Sequence, residues 1–317
     1  MEFLPGSHAD EAVIQPDTFD APIEVKGLSA KVMAGLFNGA ASARAYWKPA
    51  LQLTAALAGH PESPGPETLE QDLDDGRAVL RSGCPGKVMV ESGHRLSEDL
   101  LQPQSLYLLL AQQWARAGLM LVHGAAFEFE GHGVLALGDR GAGKSVLTMA
   151  ALAAGAKVVS DDWVMVGTAA DGTVRAERLR EFLMLRHGLV HDRLLSLPGL
   201  KPVQLRNRPK SVVRMHDQPD SLQSCFARVC RVDRLWLLQR PRAGRTGSSN
   251  CSPAQPAGAL SAIIRATMPI LFSSRFALEA AALRKSTEVV LSGKRPFSIC
   301  TGPDLLDNPS KVIASLL

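Results

Sequence analysis

Val134-Leu135-Ala136-Leu137, followed by Gly138-Asp139-Arg140-Gly141-Ala142-Gly143-Lys144-Ser145, is the stretch that decides the fold class. Four consecutive apolar residues read as a strand buried on both faces. The next eight fit G-x-x-x-x-G-K-[ST], a phosphate-binding loop. Its glycines let backbone N–H groups converge on phosphate oxygens without Cβ clashes. The helix expected over Val146–Ala154, closed by Gly155, would turn its N-terminal N–H groups and dipole towards the same anion. Lys144 would reach the β- and γ-phosphates as a mobile point charge, and Ser145 would offer its hydroxyl to Mg²⁺. All eight residues from Gly138 to Ser145 are candidate nucleotide contacts. The bland alternative is a plain Gly-rich strand-to-helix turn.

Outward from this core, Lys157–Ser160 reads as a strand ending in Asp161-Asp162. Carboxylates at the C-terminal edge of a parallel sheet lie in the crevice where ligands bind. One could hold Mg²⁺ through water and the other could take a proton from an attacking hydroxyl. The alternative is a helix or turn cap. His123-Gly124 precedes the strand that leads to the loop, and a lone His is more often structural than catalytic. His187 and His191 lack a zincin pattern and read as surface residues. Ala125–Glu130 alternates before a turn at Gly131-His132-Gly133, Trp163–Val166 is a further strand, and Asp171-Gly172 marks a hairpin. Strand, loop, helix and strand make a βαβ-type unit. Beyond it, residues 231–239 read as one core strand and residues 240–258 as a loop. Residues 259–284 read as helical, residues 297–301 as a strand and residues 305–317 as a closing helix. Before it, residues 1–25 read as an extended segment, 28–58 as two helical pieces, 77–90 as short strands and 99–118 as a helix.

The chain has 317 residues, 46% of them apolar and 21% charged, which suits a globular protein of about two domains. A smaller N-terminal α+β domain, residues 1–118, would serve substrate recognition or another accessory role. Residues 119–317 would form an α/β catalytic domain. The first part carries nine basic and fifteen acidic side chains; the second carries 26 and sixteen, a net of +10. That excess suits an anionic ligand such as a nucleotide or acidic peptide. Nucleic acid is not expected, because no dense Lys/Arg run with interleaved aromatics occurs. Five scattered cysteines read as reduced thiols. The acidic N-terminus lacks a secretory pattern, and Leu106–Val122 is too polar to span a membrane, so the expected location is cytoplasmic.

The run HGAAFEFEGHGVLALGDRGAGKSVLTMAALAAGAKVVSDDWVMV, His123 to Val166, resembles the catalytic core of HPr kinase/phosphorylase and its relatives. The resemblance implies a P-loop kinase fold of the HPr kinase/phosphoenolpyruvate carboxykinase-like type, with ATP on Gly138–Ser145. It implies that Lys144 is catalytic, that Asp162 is the proton acceptor, and that Asp161 is its acidic neighbour. His123 would support the carboxylates, and Mg²⁺ would sit at Ser145 and Asp161. Arg140 stands where the family usually has Ser. Where the family carries a Glu-containing glycine motif that helps bind metal, this chain reads LREFLMLRHG, which offers Glu181 for that role. The chain looks most like the HPr kinase-related serine kinases of peptide-modification systems, including lasso peptide tailoring kinases. A homo-oligomer is compatible with that likeness.

The expected function is ATP-dependent phosphorylation of a hydroxyl, Ser foremost, on a peptide or small protein. The alternative is an ATP-binding regulatory or assembly protein without phosphotransfer. A carboxykinase acting on a small acid lacks support. Residues 175–214 hold ten basic side chains against three acidic ones. They read either as a solvated surface or, over Lys201–Arg214, as a loop beside the site. In that case Arg206 and Arg208 would hold ATP phosphates or an acidic stretch of the acceptor.

Overall fold

The computed structural model describes residues 2–5, 11–19, 21–26, 67–73, 76–82, 87–92, 110–111, 113–186, 197–204, 210–240, 248–267 and 277–317. The chain divides into two compact units, Met1–Met120 with Met268–Lys285, and Leu121–Thr267 with Ser286–Leu317.

In the first unit, β1 (Glu2–Pro5), β2 (Glu11–Gln15), β3 (Ile23–Lys26), β4 (Glu67–Leu73), β5 (Gly76–Ser82) and β6 (Lys87–Ser92) form one sheet, ordered β1-β2-β3-β6-β5-β4. Only β3 and β6 pair in parallel among these neighbours. The segment expected to be merely extended is therefore three paired strands. Trp114 is fully buried, and its indole N–H donates to the Ala21 carbonyl at 3.3 Å. Residues 113–116 are helical, as the 99–118 reading expects; the helical pieces expected within 28–58 lie outside the described residues.

The second unit begins with β7 (Met120–Phe129), β8 (His132–Leu137), β9 (Lys157–Ser160), β10 (Trp163–Thr168) and β11 (Val174–Arg178). Then come β12 (Phe182–Arg186), β13 (Val203–Gln204), β14 (Lys210–Arg214), β15 (Val229–Arg231), β16 (Arg234–Leu238), β17 (Asn250–Pro253) and β18 (Pro296–Cys300). Its helices are α1 (Lys144–Ala153), α2 (Asp220–Gln223), α3 (Pro256–Ala266), α5 (Asp304–Asp307) and α6 (Pro309–Leu316); α4 (Ala277–Leu291) precedes β18 and belongs to the first unit as far as Lys285. The main sheet runs β15-β11-β10-β7-β8-β16-β18-β17, with β9 also paired to β7. A smaller sheet is ordered β12-β14-β13.

The β7–β8 hairpin turns at Glu130-Gly131, with φ of 49° and 78°, so Phe129 pairs with His132. Positive φ at both central residues gives a turn whose twist matches its strands. His132 and Gly133, expected in the turn, belong to β8. β7 is antiparallel to both β8 and β9. The βαβ-type unit is present as β8-α1-β9: its two strands run the same way, but β7 lies between them. The tight hairpin occupies the place beside β8 before α1 crosses over. Parallel pairing is kept by β8, β16 and β18.

Further readings are corrected. Residues 231–239 are not one strand, because Val232 and Asp233 turn the chain from β15 into β16: Val232 N–H donates to Val174 and Asp233 N–H to Gly133, at 2.8 and 2.7 Å. The closing helix is two pieces, since Pro309 cannot donate to a continuous helix and instead starts α6. The Lys201–Arg214 loop carries strands β13 and β14. Asn250–Pro253, read as loop, pairs with β18.

The core forms between the sheet and α1, whose Ala/Leu/Met composition favours helix and presents Leu147, Ala150 and Ala151 inward. Phe127 and Trp236 meet edge-on, centroids 5.8 Å apart, and Ile313 and Leu316 of α6 close the cluster. Burying each such large side chain contributes about 1.5–3 kcal/mol. No helix among the described residues is long and apolar enough to cross a membrane.

A Cβ at Gly133 would lie 1.5 Å from the Arg231 carbonyl oxygen, and that oxygen is backbone. Gly133→Ala should therefore cost about 3 kcal/mol or more, by forcing β8 and β15 apart. Chemical denaturation of the variant beside the wild type measures this; equal midpoints would show that the close approach is not needed.

Candidate functional site

The loop after β8 is shaped by Gly141 and Gly143, with φ of 84° and 95°, values that an L side chain rarely adopts. Gly143 caps α1 without a side-chain hydrogen bond, and the first turn of α1 holds no acid. Nothing on the helix competes with an incoming anion. Lys144 folds back over the loop: Nζ donates to the Gly138 carbonyl at 2.6 Å and to that of Asp139 at 3.3 Å. Burial lowers its pKa, against the pull of Asp162, Asp139 and Asp161 in the other direction.

The two aspartates follow β9. Ser160, not an aspartate, supports the break between β9 and β10: its Oγ donates to the Trp163 carbonyl at 3.0 Å and accepts from Asp162 N–H at 3.3 Å. The Asp162 carbonyl accepts from Gly124 N–H at 2.8 Å. Both carboxyl groups are thus left for other partners, and the turn-cap alternative does not describe them. Asp161 is buried, and its Oδ2 accepts from Met184 N–H at 3.2 Å. Asp162 is partly exposed. Its Oδ1 lies 2.9 Å from His123 Nε2, and its Oδ2 lies 2.5 Å from Arg180 Nη1. The His123 ring in turn lies 5.3 Å from that of Trp163.

The electrostatics separate the pair. Burial and the neighbouring Asp162 charge push the Asp161 carboxyl up to about 7. Burial also raises Asp162, but Arg180, His123 and Lys144 together outweigh it and hold this carboxyl well below the usual range. The surroundings thus favour the charged form of Asp162 and the protonated form of Asp161.

One cleft of about 450 Å³ brings together His123, Arg140, Gly141, Gly143, Lys144, Ser145, Asp161 and Asp162. Gly138 and Asp139 line a neighbouring cleft of about 540 Å³ instead, with Arg240 and Gln255. Ala142 is buried in the core. Glu181 is not at the site: its carboxylate is held by Arg178, and Met184 occupies the cleft wall. Arg206 and Arg208 lie outside the described residues. Sequence reasoning counted Arg180 among the basic side chains of its segment but missed its place on Asp162. Its one local signal is position, two residues beyond Arg178 at the end of a strand. Among the described residues, no group of three or more His, Cys, Asp or Glu is arranged to hold a metal. Ser145 and Asp161 line the same cleft, and Mg²⁺ bound to phosphates usually takes only one or two protein ligands.

The chain matches no protein-family model and no curated protein. Among solved structures, it is similar to the Hpr(Ser) kinase/phosphatase from Coxiella burnetii, at 11% identity over 61% of this chain and 93% of that one. The TM-score is 0.29, too low for the likeness to carry an argument.

The raised Asp161 carboxyl has a consequence for stability. A folded-state pKa above the unfolded one gives a contribution that is complete below the ordinary carboxylate range and is lost as pH rises through about 7. The wild-type Tm should accordingly fall between about pH 4 and about pH 7 and level off above that. In Asp161→Asn, which has no proton to lose, that fall should shrink. Identical pH slopes in the two proteins would remove Asp161 as the titrating group.

Proposed function

We propose that the chain is an ATP-dependent phosphotransferase that moves the γ-phosphoryl group to a hydroxyl, Ser foremost, of a peptide or small protein. One observation carries this reading: the glycine loop with Lys144 and Ser145, and a carboxylate held at both oxygens, face the same cleft. A protein that only binds nucleotide needs the first but not the second.

The backbone N–H groups of the loop and the start of α1 would hold the phosphates, and Lys144 would leave its own loop carbonyls for them. Mg²⁺ at Ser145 and Asp161 would neutralise phosphate charge. Asp162, oriented by His123 and Arg180, would receive the acceptor's hydroxyl hydrogen bond. As the acceptor's O–P bond forms and the β,γ-bridging P–O bond breaks, the hydroxyl proton would pass to the carboxylate. The contribution of the protein is positioning and electrostatic stabilisation, with little covalent chemistry. The basic segment containing Arg206 and Arg208 would meet an acidic stretch of the acceptor, and a peptide-tailoring role would place that acceptor among peptides encoded nearby. A gain of one phosphate mass on one such peptide, incubated with the protein and ATP, is the direct test.

The second reading, a nucleotide-binding regulatory or assembly protein, is favoured by Met184 on the cleft wall, where a third acid would strengthen a metal site. It is the better account if ATP binds and neither ADP nor phosphorylated product accumulates.

Lys144→Ala should weaken ATP binding and abolish transfer while the fold persists, because a charge-assisted phosphate contact is lost. Titration with labelled ATP checks it, and unchanged affinity and turnover would remove the assigned role. Asp162→Asn should keep ATP affinity and lower single-turnover transfer by about 10²–10⁴. If Asp161→Asn shows the larger loss, the two aspartates exchange roles, with Asp161 as the proton acceptor.

A further inference from the structure

Arg180 sits between β11 and β12, with its side chain 4% exposed. Its guanidinium carbon lies 5.4 Å from the centroid of the Phe182 ring, an arrangement that restricts it on one side. Nearby, Arg178 is committed to Glu181 and to the Ala227 carbonyl, so the two arginines have separate carboxylates. Arg180 Nη1 reaches Oδ2 of Asp162, and His123 Nε2 reaches Oδ1. The carboxylate is therefore gripped at both oxygens by groups from two different elements, β7 on one side and the β11–β12 connection on the other. A carboxylate held by only one of these could rotate about its Cβ–Cγ bond; held by both, its plane is fixed.

We propose that Arg180 is a positioning residue: from beneath the cleft it fixes the plane of the Asp162 carboxylate, and it has no contact of its own with nucleotide or acceptor. The inference rests on the phosphotransfer reading. It also assigns to a side chain of the protein a cationic role that a second divalent ion could otherwise fill beside the aspartates. An arginine suits this task because its charge is permanent and its planar donors hold a fixed direction. Burial is part of the device, since a charge pair shielded from water resists screening and rearrangement.

The test uses the full chain, with ATP as substrate and water as the acceptor hydroxyl, read as ADP release, beside the imidazole NMR signal of His123 in the ATP-free protein. In Arg180→Ala, kcat should fall by about 10–100-fold, the cost of a misplaced reacting group, with the Kd for ATP within about twofold. The His123 signal should move. Millimolar guanidinium should restore at least part of kcat and return the signal, with no effect on the wild type. If Arg180→Ala fails to melt cooperatively, Arg180→Lys serves: it keeps charge but not the planar fork, and should lose kcat without losing ATP affinity. A Kd for ATP that rises in step with the loss of kcat would make Arg180 a phosphate contact and overturn the inference. So would a wild-type kcat in the variant that folds, or a His123 signal that does not move. If the wild type releases no ADP but the His123 signal moves and guanidinium returns it, the hold on Asp162 stands and the phosphotransfer reading falls.

Discussion

The placement of β7 between β8 and β9 governs the rest of the second unit. Gly124 is paired with Leu137, the last residue of β8, and Ala126 with Ser160, the last residue of β9. The start of β7 therefore lies beside the ends of both neighbours. His123 meets Asp162 across one of these junctions, and the glycine loop leaves from the other. A slip of one residue in either ladder would send His123 to the opposite face of the sheet. The two-residue turn at Glu130-Gly131 sets the first register, and with it the distance between loop and carboxylates.

Charge balance then decides how the site behaves. Two aspartates adjacent in sequence cannot both ionise cheaply in a confined space. Arg180, His123 and Lys144 favour the anion at Asp162, while Asp161 remains deeper, with a backbone N–H on one oxygen. Two identical side chains thus take different protonation behaviour from their surroundings alone. Lys144 is linked to both halves, because its hydrogen bonds are to the loop and its field reaches the aspartates.

What the sequence made legible was local. The apolar run Val134–Leu137, the glycine loop, the Ala-rich helix and the strand ending at Asp161-Asp162 are contiguous patterns, each with its own physical signature. The pairing of β7 with both neighbours was not legible, since periodicity says which residues form a strand but not beside which strand it lies. The break at Val232-Asp233 was hidden because no glycine or proline marks it between Val229 and Leu238. Glu181 looked available by position, yet Arg178 three residues earlier takes its carboxylate. Arg180 escaped notice for the converse reason: its partner is 18 residues away in sequence, and no local pattern marks such a pair.

The two ends of the main sheet show a further consequence of the turn at Val232-Asp233. A strand at the margin of a sheet offers unpaired backbone groups to any passing chain, and long flat margins invite aggregation. Here one end, β15, is drawn back against β8 by the approach of Arg231 to Gly133. The other end is β17, four residues long and finished by a proline that has no N–H to donate. Among the described residues, neither margin is a long flat strand of the kind that serves as a template for strand addition.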